Sequence, residues 1–242
     1  MEIGIVGFGR FGQFAAEILR RDFDVYVFDR RPSPKKRGIR RVTLERVASK
    51  PCLILCVPIS QMEAVCRELR PYLVEGHLIM DTCSVKEKPL RIMREFLPKS
   101  VEVLGTHPLF GPDSARDGVE GLEVVLCPGR CNRVDKVKAY LEARGLVVTV
   151  TTASNHDRAM AKTQALFHFL AQGFSCLDID TNSLATPGPA QLFQGFRDVL
   201  GDSKELFRDL QQLNRFVPSQ RKKLIASLIA LDKQLSKRSP CP

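Results

Sequence analysis

The 242-residue chain has no tryptophan, 3 tyrosines and an aromatic content of 7%. Proteins that bind single-stranded nucleic acid stack its bases on aromatic side chains that lie between basic ones. The short basic runs of this chain, at 30–31, 35–37, 40–41 and 221–223, contain no aromatic residue. The formal net charge of +10 is scattered along the sequence, and we therefore expect no nucleic-acid partner.

Long apolar segments and metal-binding patterns are also missing. No run approaches the roughly 20 apolar residues that cross a membrane, and Met1 leads directly into a short apolar segment rather than a secretory signal. The 8 cysteines lie mostly in apolar runs, and no second ligand pair follows Cys127 and Cys131 to complete a zinc site. We expect a cytoplasmic protein without a membrane partner and without a bound metal.

A glycine motif stands out near the start of the chain. Residues 2–6 are typical of a short buried strand. A turn follows this strand, and a helical pattern runs from the turn through Leu19. That turn has the spacing of a dinucleotide-binding motif and consists of Gly7, Phe8, Gly9, Arg10, Phe11 and Gly12. In such a turn the first glycine permits the bend, the second lets the backbone approach a pyrophosphate, and the third lets helix and strand pack closely.

The second predicted strand indicates which cofactor is bound. It covers residues 24–28 and ends at Asp29, where a carboxylate meets a ribose diol and favours NAD. Arg30 and Arg31 follow at once and are able to hold the 2′-phosphate of NADP, which leaves NADP as the alternative. Val57 and Pro58, at the end of the next predicted strand, are assigned to the cofactor site as well.

Strands and helices alternate up to residue 152. Further strands are predicted at 52–57, 77–81, 101–105, 123–127 and 147–151, with helices at 61–69 and 89–96. This alternation predicts an α/β fold, in which residues 1–152 form a doubly wound, mostly parallel sheet of the Rossmann type.

Only helical periodicity remains after residue 152. Helices are predicted at 154–177, 190–200, 204–215 and 219–235. Residues 153–242 are therefore expected to form a smaller, all-helical domain. Because a helical domain of this size buries its apolar faces poorly by itself, we expect a homodimer formed through it.

Two loops at the carboxyl ends of predicted strands contain the most informative polar residues. The first reads Asp-Thr-Cys-Ser-Val-Lys over 81–86, and the second reads Gly-Thr-His-Pro-Leu-Phe-Gly-Pro over 105–112. Ligands bind at this edge of a doubly wound sheet. His107 is a candidate general base near neutral pH, and Ser84 is a candidate partner for a substrate hydroxyl or a nicotinamide group.

These loops resemble those of the prephenate and arogenate dehydrogenase family of tyrosine biosynthesis, whose hallmarks include D-x-x-S-V-K and H-P-x-x-G-P. The similarity continues through Asn-His-Asp-Arg at 155–158 and Gln-Ala-Leu-Phe-His at 164–168. Thr186 with Gly188, and Gly-Asp-Ser at 201–203, keep the order and spacing of the plant-type arogenate branch.

The resemblance implies an NAD(P)-dependent oxidative decarboxylation of arogenate to tyrosine, or of prephenate to 4-hydroxyphenylpyruvate. His107 would accept the proton of the ring 4-hydroxyl, and Ser84 would orient that hydroxyl. Gln164, His168 and Thr186 would position the carboxylates and the side chain of this small-molecule substrate. An acidic residue at the position of Asp202 goes with arogenate in the family, so arogenate is the expected substrate.

One departure and two alternatives accompany this interpretation. The carboxylate-binding arginine that bacterial prephenate enzymes place after a G-F-[KR]-D segment is not evident after 195–198, and Arg197 is the candidate substitute. Another two-domain reductase, of the pyrroline-carboxylate reductase or β-hydroxyacid dehydrogenase type, would use a helix lysine such as Lys162. A non-catalytic dinucleotide sensor would need no equivalent of His107.

Overall fold

The computed structural model describes residues 1–32, 36–177 and 186–236 of the chain. The chain divides into two compact units, Met1–His156 and Asp157–Pro242. Within the described ranges, no helix combines the length and the apolar character needed to cross a membrane.

An eight-stranded sheet forms the centre of the first unit in its described residues. The strands are β1 (Glu2–Val6), β2 (Asp24–Phe28), β3 (Ile39–Arg41), β4 (Cys52–Leu55), β5 (Leu78–Asp81), β6 (Glu102–Pro108), β7 (Glu123–Arg130) and β8 (Val147–Val150). Their order is β3-β2-β1-β4-β5-β6-β7-β8, and every neighbouring pair is parallel except β6 and β7. The predicted doubly wound, mostly parallel sheet is confirmed, and its strand order reverses at β1 and β4, where such folds bind ligands.

Helices connect these strands. They are α1 (Arg10–Leu19), α2 (Leu44–Ala48), α3 (Ile59–Leu69), α4 (Glu87–Phe96) and α5 (Val134–Glu142), and α6 (Ala153–Lys162) continues into the second unit. Strands β4 and β5 are buried along their whole length, as expected for parallel strands covered on both faces. This explains why their sequences read as continuous apolar runs rather than as alternating ones.

Besides a single 3-10 turn at Arg70–Tyr72, three short elements were not predicted, namely β3, α2 and α5. Strand β3 has only three residues, two of them exposed arginines, and it exists because Ile39 pairs with Val25 at the sheet edge. Helix α5 buries none of its side chains fully. Elements with so little buried surface give almost no hydrophobic periodicity to detect.

The second unit is helical throughout its described residues. After the end of α6 it contains α7 (Gln164–Phe174), α8 (Pro187–Leu200), α9 (Lys204–Leu213) and α10 (Val217–Leu235). One cluster of buried apolar residues in this unit consists of Ala161, Ala165, Leu210 and Val217. The predicted all-helical character is confirmed.

The prediction of one continuous helix over 154–177 is wrong. The helix is interrupted at Thr163, whose backbone has φ −110° and ψ −91°. The Thr163 hydroxyl donates a hydrogen bond to the Ala159 carbonyl at 3.1 Å, a contact that bends helices. Apolar residues continue with helical spacing across the break, so periodicity alone does not reveal it.

Candidate active site

The glycine turn after β1 has room for no side chain at two of its positions. Gly7 has φ +96°, and a Cβ atom there would lie 2.3 Å from the Cys56 carbonyl oxygen. A Cβ atom on Gly12 would lie 2.1 Å from the Gly7 carbonyl oxygen. Both glycines are required because the turn, the start of α1 and the end of β4 approach one another closely.

Gly9 differs from the other two glycines because its missing side chain faces open space. A Cβ atom there would meet nothing within 4 Å, and the backbone has an ordinary φ of −71°. Gly9 is also the N-cap of α1, whose first turn contains no acidic residue and no side-chain cap among the described residues. Uncapped N–H groups and the positive end of the helix dipole suit an anionic group such as a pyrophosphate.

Asp29 fixes the backbone at the end of β2. Its carboxylate accepts hydrogen bonds from the backbone N–H groups of Phe8, at 2.6 Å, and of Arg31, at 2.7 Å. Arg41, which the sequence analysis did not single out, donates to the backbone carbonyls of Asp29 at 2.9 Å and Arg31 at 2.6 Å. No sequence signal identified Arg41, because it lies on the unpredicted strand β3.

The other predicted cofactor arginines lie at the surface. Arg30 forms an ion pair with Glu68 of α3, and the side chain of Arg31 is 83% exposed. Exposed pairs of this kind add little to stability, so Arg30 is held only weakly. Arg10, at the start of α1, pairs with Asp113 at 2.5 Å.

The loop that follows β6 lies against α1. Phe110 packs edge-on against Phe14 with ring centroids 6.2 Å apart, and Phe14 in turn packs against Phe11 at 5.9 Å. The Arg10–Asp113 pair joins the same two segments. The glycine turn and the loop containing His107 are thereby brought together at one edge of the sheet.

The loop after β4 forms the next part of this edge. Val57 is half-buried, and its carbonyl accepts a hydrogen bond from the Cys83 thiol at 3.8 Å. Pro58 is exposed and is the N-cap residue of α3. Burial raises the pKa of the neighbouring Cys56 to about 12, so this thiol stays protonated and is not a nucleophile at neutral pH.

A buried ion pair joins the ends of β5 and β6. Lys86 and Asp81 have fully buried side chains and form an ion pair. The Lys86 ammonium also donates to the Thr106 carbonyl at 2.5 Å, and the Asp81 carboxylate accepts the Cys83 N–H at 2.9 Å. The pair thus holds the D-x-x-S-V-K loop against β6, the strand that contains His107. Ser84 lies half-buried in this loop, two residues before Lys86.

His107 lies at the end of β6 and is only 2% exposed. Its Nδ1 atom is 2.8 Å from Nε2 of His156, a residue of α6 that is also 2% exposed. Burial lowers the pKa of His107 well below 6.5, and electrostatic interactions with His156 and Lys86 lower it further. His107 is therefore neutral at pH 7, as a general base must be.

The second unit brings together three of the four predicted substrate ligands. Gln164 and His168 are four residues apart on one face of α7, and His168 Nε2 lies 3.9 Å from an Asp202 carboxylate oxygen. Burial lowers the pKa of His168 to about 4, so its ring is neutral at pH 7. The Gln164 side-chain oxygen is buried without a hydrogen-bond partner in the described residues. Thr186 is the exposed N-cap residue of α8 and is not shown to join this group.

Arg197, the candidate carboxylate anchor, lies on the exposed side of α8. Its guanidinium donates to the Gln194 side chain at 2.7 Å. Three further residues that shape the site were not predicted from the sequence, namely Asp81, Lys86 and His156. Their motifs were noted, but nothing in a one-dimensional pattern showed that they meet His107 or its strand.

The order of the strands, the glycine turn and the acidic residue after β2 define a dinucleotide-binding domain of the Rossmann type. The family described as "Prephenate dehydrogenase, nucleotide-binding domain" matches residues 16–150. The chain therefore belongs to the prephenate dehydrogenase family.

Individual relatives agree with this assignment. A probable arogenate/prephenate dehydrogenase of Methanocaldococcus jannaschii is 29% identical over 229 residues, covering 87% of this chain and 50% of the relative. Arogenate dehydrogenase 1, chloroplastic, of Arabidopsis thaliana is 28% identical over 240 residues, covering 89% of this chain and 37% of the relative. The chain thus spans half or less of the length of these two relatives.

A solved structure supports the fold. Prephenate dehydrogenase from Aquifex aeolicus, in complex with hydroxyphenyl propionate and NAD+, superimposes with a TM-score of 0.77 at 22% identity. The similarity covers 98% of this chain and 91% of that one. At 22% identity, this similarity supports the fold alone.

Proposed function

We propose that this protein catalyses the NAD-dependent oxidative decarboxylation of arogenate to tyrosine, with prephenate as the alternative substrate. The observation that carries the proposal is the neutral, buried His107 at the carboxyl end of β6. Its strand is tied by Lys86 to the loop containing Ser84. A base held in this way at the ligand-binding edge of a dinucleotide fold suits a dehydrogenase acting on an alcohol-bearing carbon.

The residues around the glycine turn fit a nicotinamide dinucleotide. Gly9 leaves open space beside the uncapped start of α1, where the pyrophosphate would be held. Asp29 would bind the adenosine ribose, and its carboxylate would repel the 2′-phosphate of NADP. NAD is therefore the proposed cofactor. When bound, this cofactor supplies the acceptor for a hydride.

The proposed reaction removes a hydride and carbon dioxide from one cyclohexadiene ring, and the hydroxyl proton that the base accepts returns to the phenolate oxygen of the aromatic product. The carbon bearing the 4-hydroxyl loses hydride, the carboxylate on the opposite ring carbon leaves as CO2, and the ring becomes aromatic. His107 would accept the hydroxyl proton at Nε2, because its Nδ1 atom is engaged by His156. Ser84 would hold the same hydroxyl in position.

In the second unit we propose Gln164, His168 and Asp202 as ligands of the substrate's polar groups. The Gln164 oxygen, which is buried without a hydrogen-bond partner among the described residues, is placed to accept a hydrogen bond, and the Asp202 carboxylate lies beside the neutral His168 ring. A carboxylate pairs with the amino group of arogenate, which prephenate lacks. Thr186 and Arg197 remain proposed ligands of the side chain and its carboxylate.

A spectrophotometric assay tests the proposal as a whole. The purified chain is mixed with arogenate or prephenate, each with NAD or NADP, and absorbance at 340 nm is followed. Turnover with arogenate and NAD is expected. Cofactor binding without turnover in any of the four mixtures would contradict the proposal and favour the dinucleotide sensor. The family assignment disfavours the pyrroline-carboxylate reductase and β-hydroxyacid dehydrogenase alternatives.

Replacing Gly9 by Ala separates cofactor binding from folding. The Gly9 backbone is compatible with alanine and its Cβ atom would meet open space, so the melting temperature is expected to stay close to that of the wild type. The added methyl group would occupy the space in which a pyrophosphate approaches the backbone, so NAD affinity should fall about tenfold or more, roughly 1.4 kcal/mol. Isothermal titration calorimetry measures the NAD affinities of the wild type and of Gly9→Ala, and calorimetric melting measures the two melting temperatures.

Gly173→Ala is the matched control, because a Cβ atom at Gly173 of α7 also meets nothing within 4 Å. This variant should bind NAD as the wild type does. Unchanged NAD affinity in Gly9→Ala would exclude the turn as the pyrophosphate site.

We further propose that the chain forms a homodimer through α10. This helix exposes Ile225, Leu228, Ile229, Leu231 and Leu235, all between 43% and 75% exposed. Contiguous apolar surface of this kind is typical of interfaces between subunits. Analytical ultracentrifugation at micromolar concentration should give twice the monomer mass, and Leu228→Glu with Ile229→Glu should give the monomer mass. A wild-type monomer at that concentration would refute the dimer.

The cytoplasm remains the proposed compartment. The seven cysteines in the described residues are free thiols, which suits a reducing environment. Cell fractionation with an antibody against the chain would test this location.

A further inference from the structure

Two buried imidazoles share a single hydrogen bond in the first unit. His107 Nδ1 and His156 Nε2 are 2.8 Å apart, and the ring planes meet at 72° with centroids 5.0 Å apart. Each residue is 2% exposed, so water does not substitute freely for either partner. The contact is close enough for one hydrogen bond and requires one hydrogen between the two nitrogens.

The position of that hydrogen decides what the rest of each ring is able to do. A neutral imidazole has one N–H group and one lone pair. If His156 donates, His107 must carry its own hydrogen on Nε2 and has no lone pair there. If His107 donates from Nδ1, its Nε2 atom has the lone pair that a base requires.

We propose that His156 is a positioning residue that holds His107 in the Nδ1–H tautomer and thereby makes Nε2 the basic atom. This inference rests on the proposed role of His107 as the base. In the neutral pair His156 accepts at Nε2 and consequently carries its own hydrogen on Nδ1.

The same arrangement accommodates the charge that forms during the reaction. The proton leaving the substrate hydroxyl binds to Nε2 of His107, and the resulting imidazolium has hydrogens on both nitrogens. Its Nδ1–H group keeps the acceptor on His156, so the buried cation remains hydrogen-bonded. The opposite tautomer would set two N–H groups against each other once His107 was protonated.

Nitrogen-15 NMR of the resting protein tests the tautomer without any substrate. The chain has 4 histidines, so single replacements assign the imidazole signals. His107 is expected to show a protonated Nδ1 and an unprotonated Nε2 at pH 7.5. A hydrogen on Nε2 of His107 in the wild type would overturn the inference, whatever the outcome of the activity assay.

Two replacements of His156 test the consequence for turnover. Glutamine places a carbonyl oxygen near the position of Nε2 and is able to accept from His107, whereas leucine is not. We expect kcat to fall roughly 10²-fold or more in His156→Leu, within the range of a lost general base, with KM changing much less. The kcat of His156→Gln should be at least about tenfold higher than that of His156→Leu, and the Nδ1–H signal of His107 should be retained in His156→Gln.

His77→Gln is the control for replacing a buried histidine, because His77 precedes β5 and bonds to the backbone of Val74. It should retain wild-type kcat. Equal losses in His156→Leu and His156→Gln, both folded and both binding NAD, would contradict the positioning role. If the wild type shows the predicted tautomer but no turnover, the proposed function fails while the hydrogen-bond assignment stands.

Discussion

His107→Asn is expected to lower kcat by roughly 10²–10⁴-fold with arogenate and NAD. The asparagine side chain reaches only as far as the Nδ1 position, so it keeps a polar group opposite His156 and removes the basic Nε2 atom. The fold should be retained, because the cavity is largely filled and the hydrogen bond at 2.8 Å has a replacement partner. Steady-state kinetics at 340 nm and NAD titration measure the two properties separately.

The pH profile gives an independent check on the same residue. Burial lowers the pKa of His107 well below 6.5, and electrostatic interactions with His156 and Lys86 lower it further. The base is therefore lost only when the pH falls below the usual histidine range, and the acidic limb of kcat/KM should lie below pH 6.5. His77→Asn should leave kcat and this limb unchanged. Near-normal turnover in His107→Asn would remove His107 from the role of base.

Lys86→Met is expected to destabilise the first unit by about 3–5 kcal/mol. Lys86 and Asp81 have 0% exposed side chains, so removing the ammonium leaves a carboxylate with no compensating charge in a dry environment. The Thr106 carbonyl loses its hydrogen bond from Lys86 at the same time. A fall in melting temperature of about 10 °C corresponds to this range for a domain of this size, and calorimetry measures it.

Two control variants distinguish the effect of removing the buried charge from the effect of replacing a lysine side chain by methionine. Lys99→Met replaces an exposed lysine and should change the melting temperature little. Asp81→Asn combined with Lys86→Met removes both charges and should recover part of the lost stability. A Lys86→Met protein as stable as the wild type would mean that the Asp81 carboxylate is protonated or solvated after all.

The fold was largely predictable because its determinants are local. Buried parallel strands such as β4 give continuous apolar runs, and glycines at 7, 9 and 12 give a turn of known geometry. The break at Thr163 and the short strand β3 were not predictable. The first is accompanied by a hydroxyl contact within the helix that has no signature in the apolar spacing, and the second depends on pairing with β2 at the sheet edge.

In the candidate site, too, some residues were predictable from the sequence and others were not. Its motif residues were identified by type and by their position after predicted strands. Their partners were not, since Arg41 acts through backbone carbonyls 10 and 12 residues earlier in the chain, and His156 lies 49 residues from His107. Separations of this size leave no periodic trace in a sequence.

By itself, the sequence determined the fold class, the nucleotide-binding turn and the family, because spacing and residue type are sufficient for each. Tertiary structure alone decided which atoms meet: Lys86 with Asp81, and His107 with His156. The physical reason is that these contacts depend on burial and on hydrogen bonding. Both depend on which distant segments the folded chain brings together.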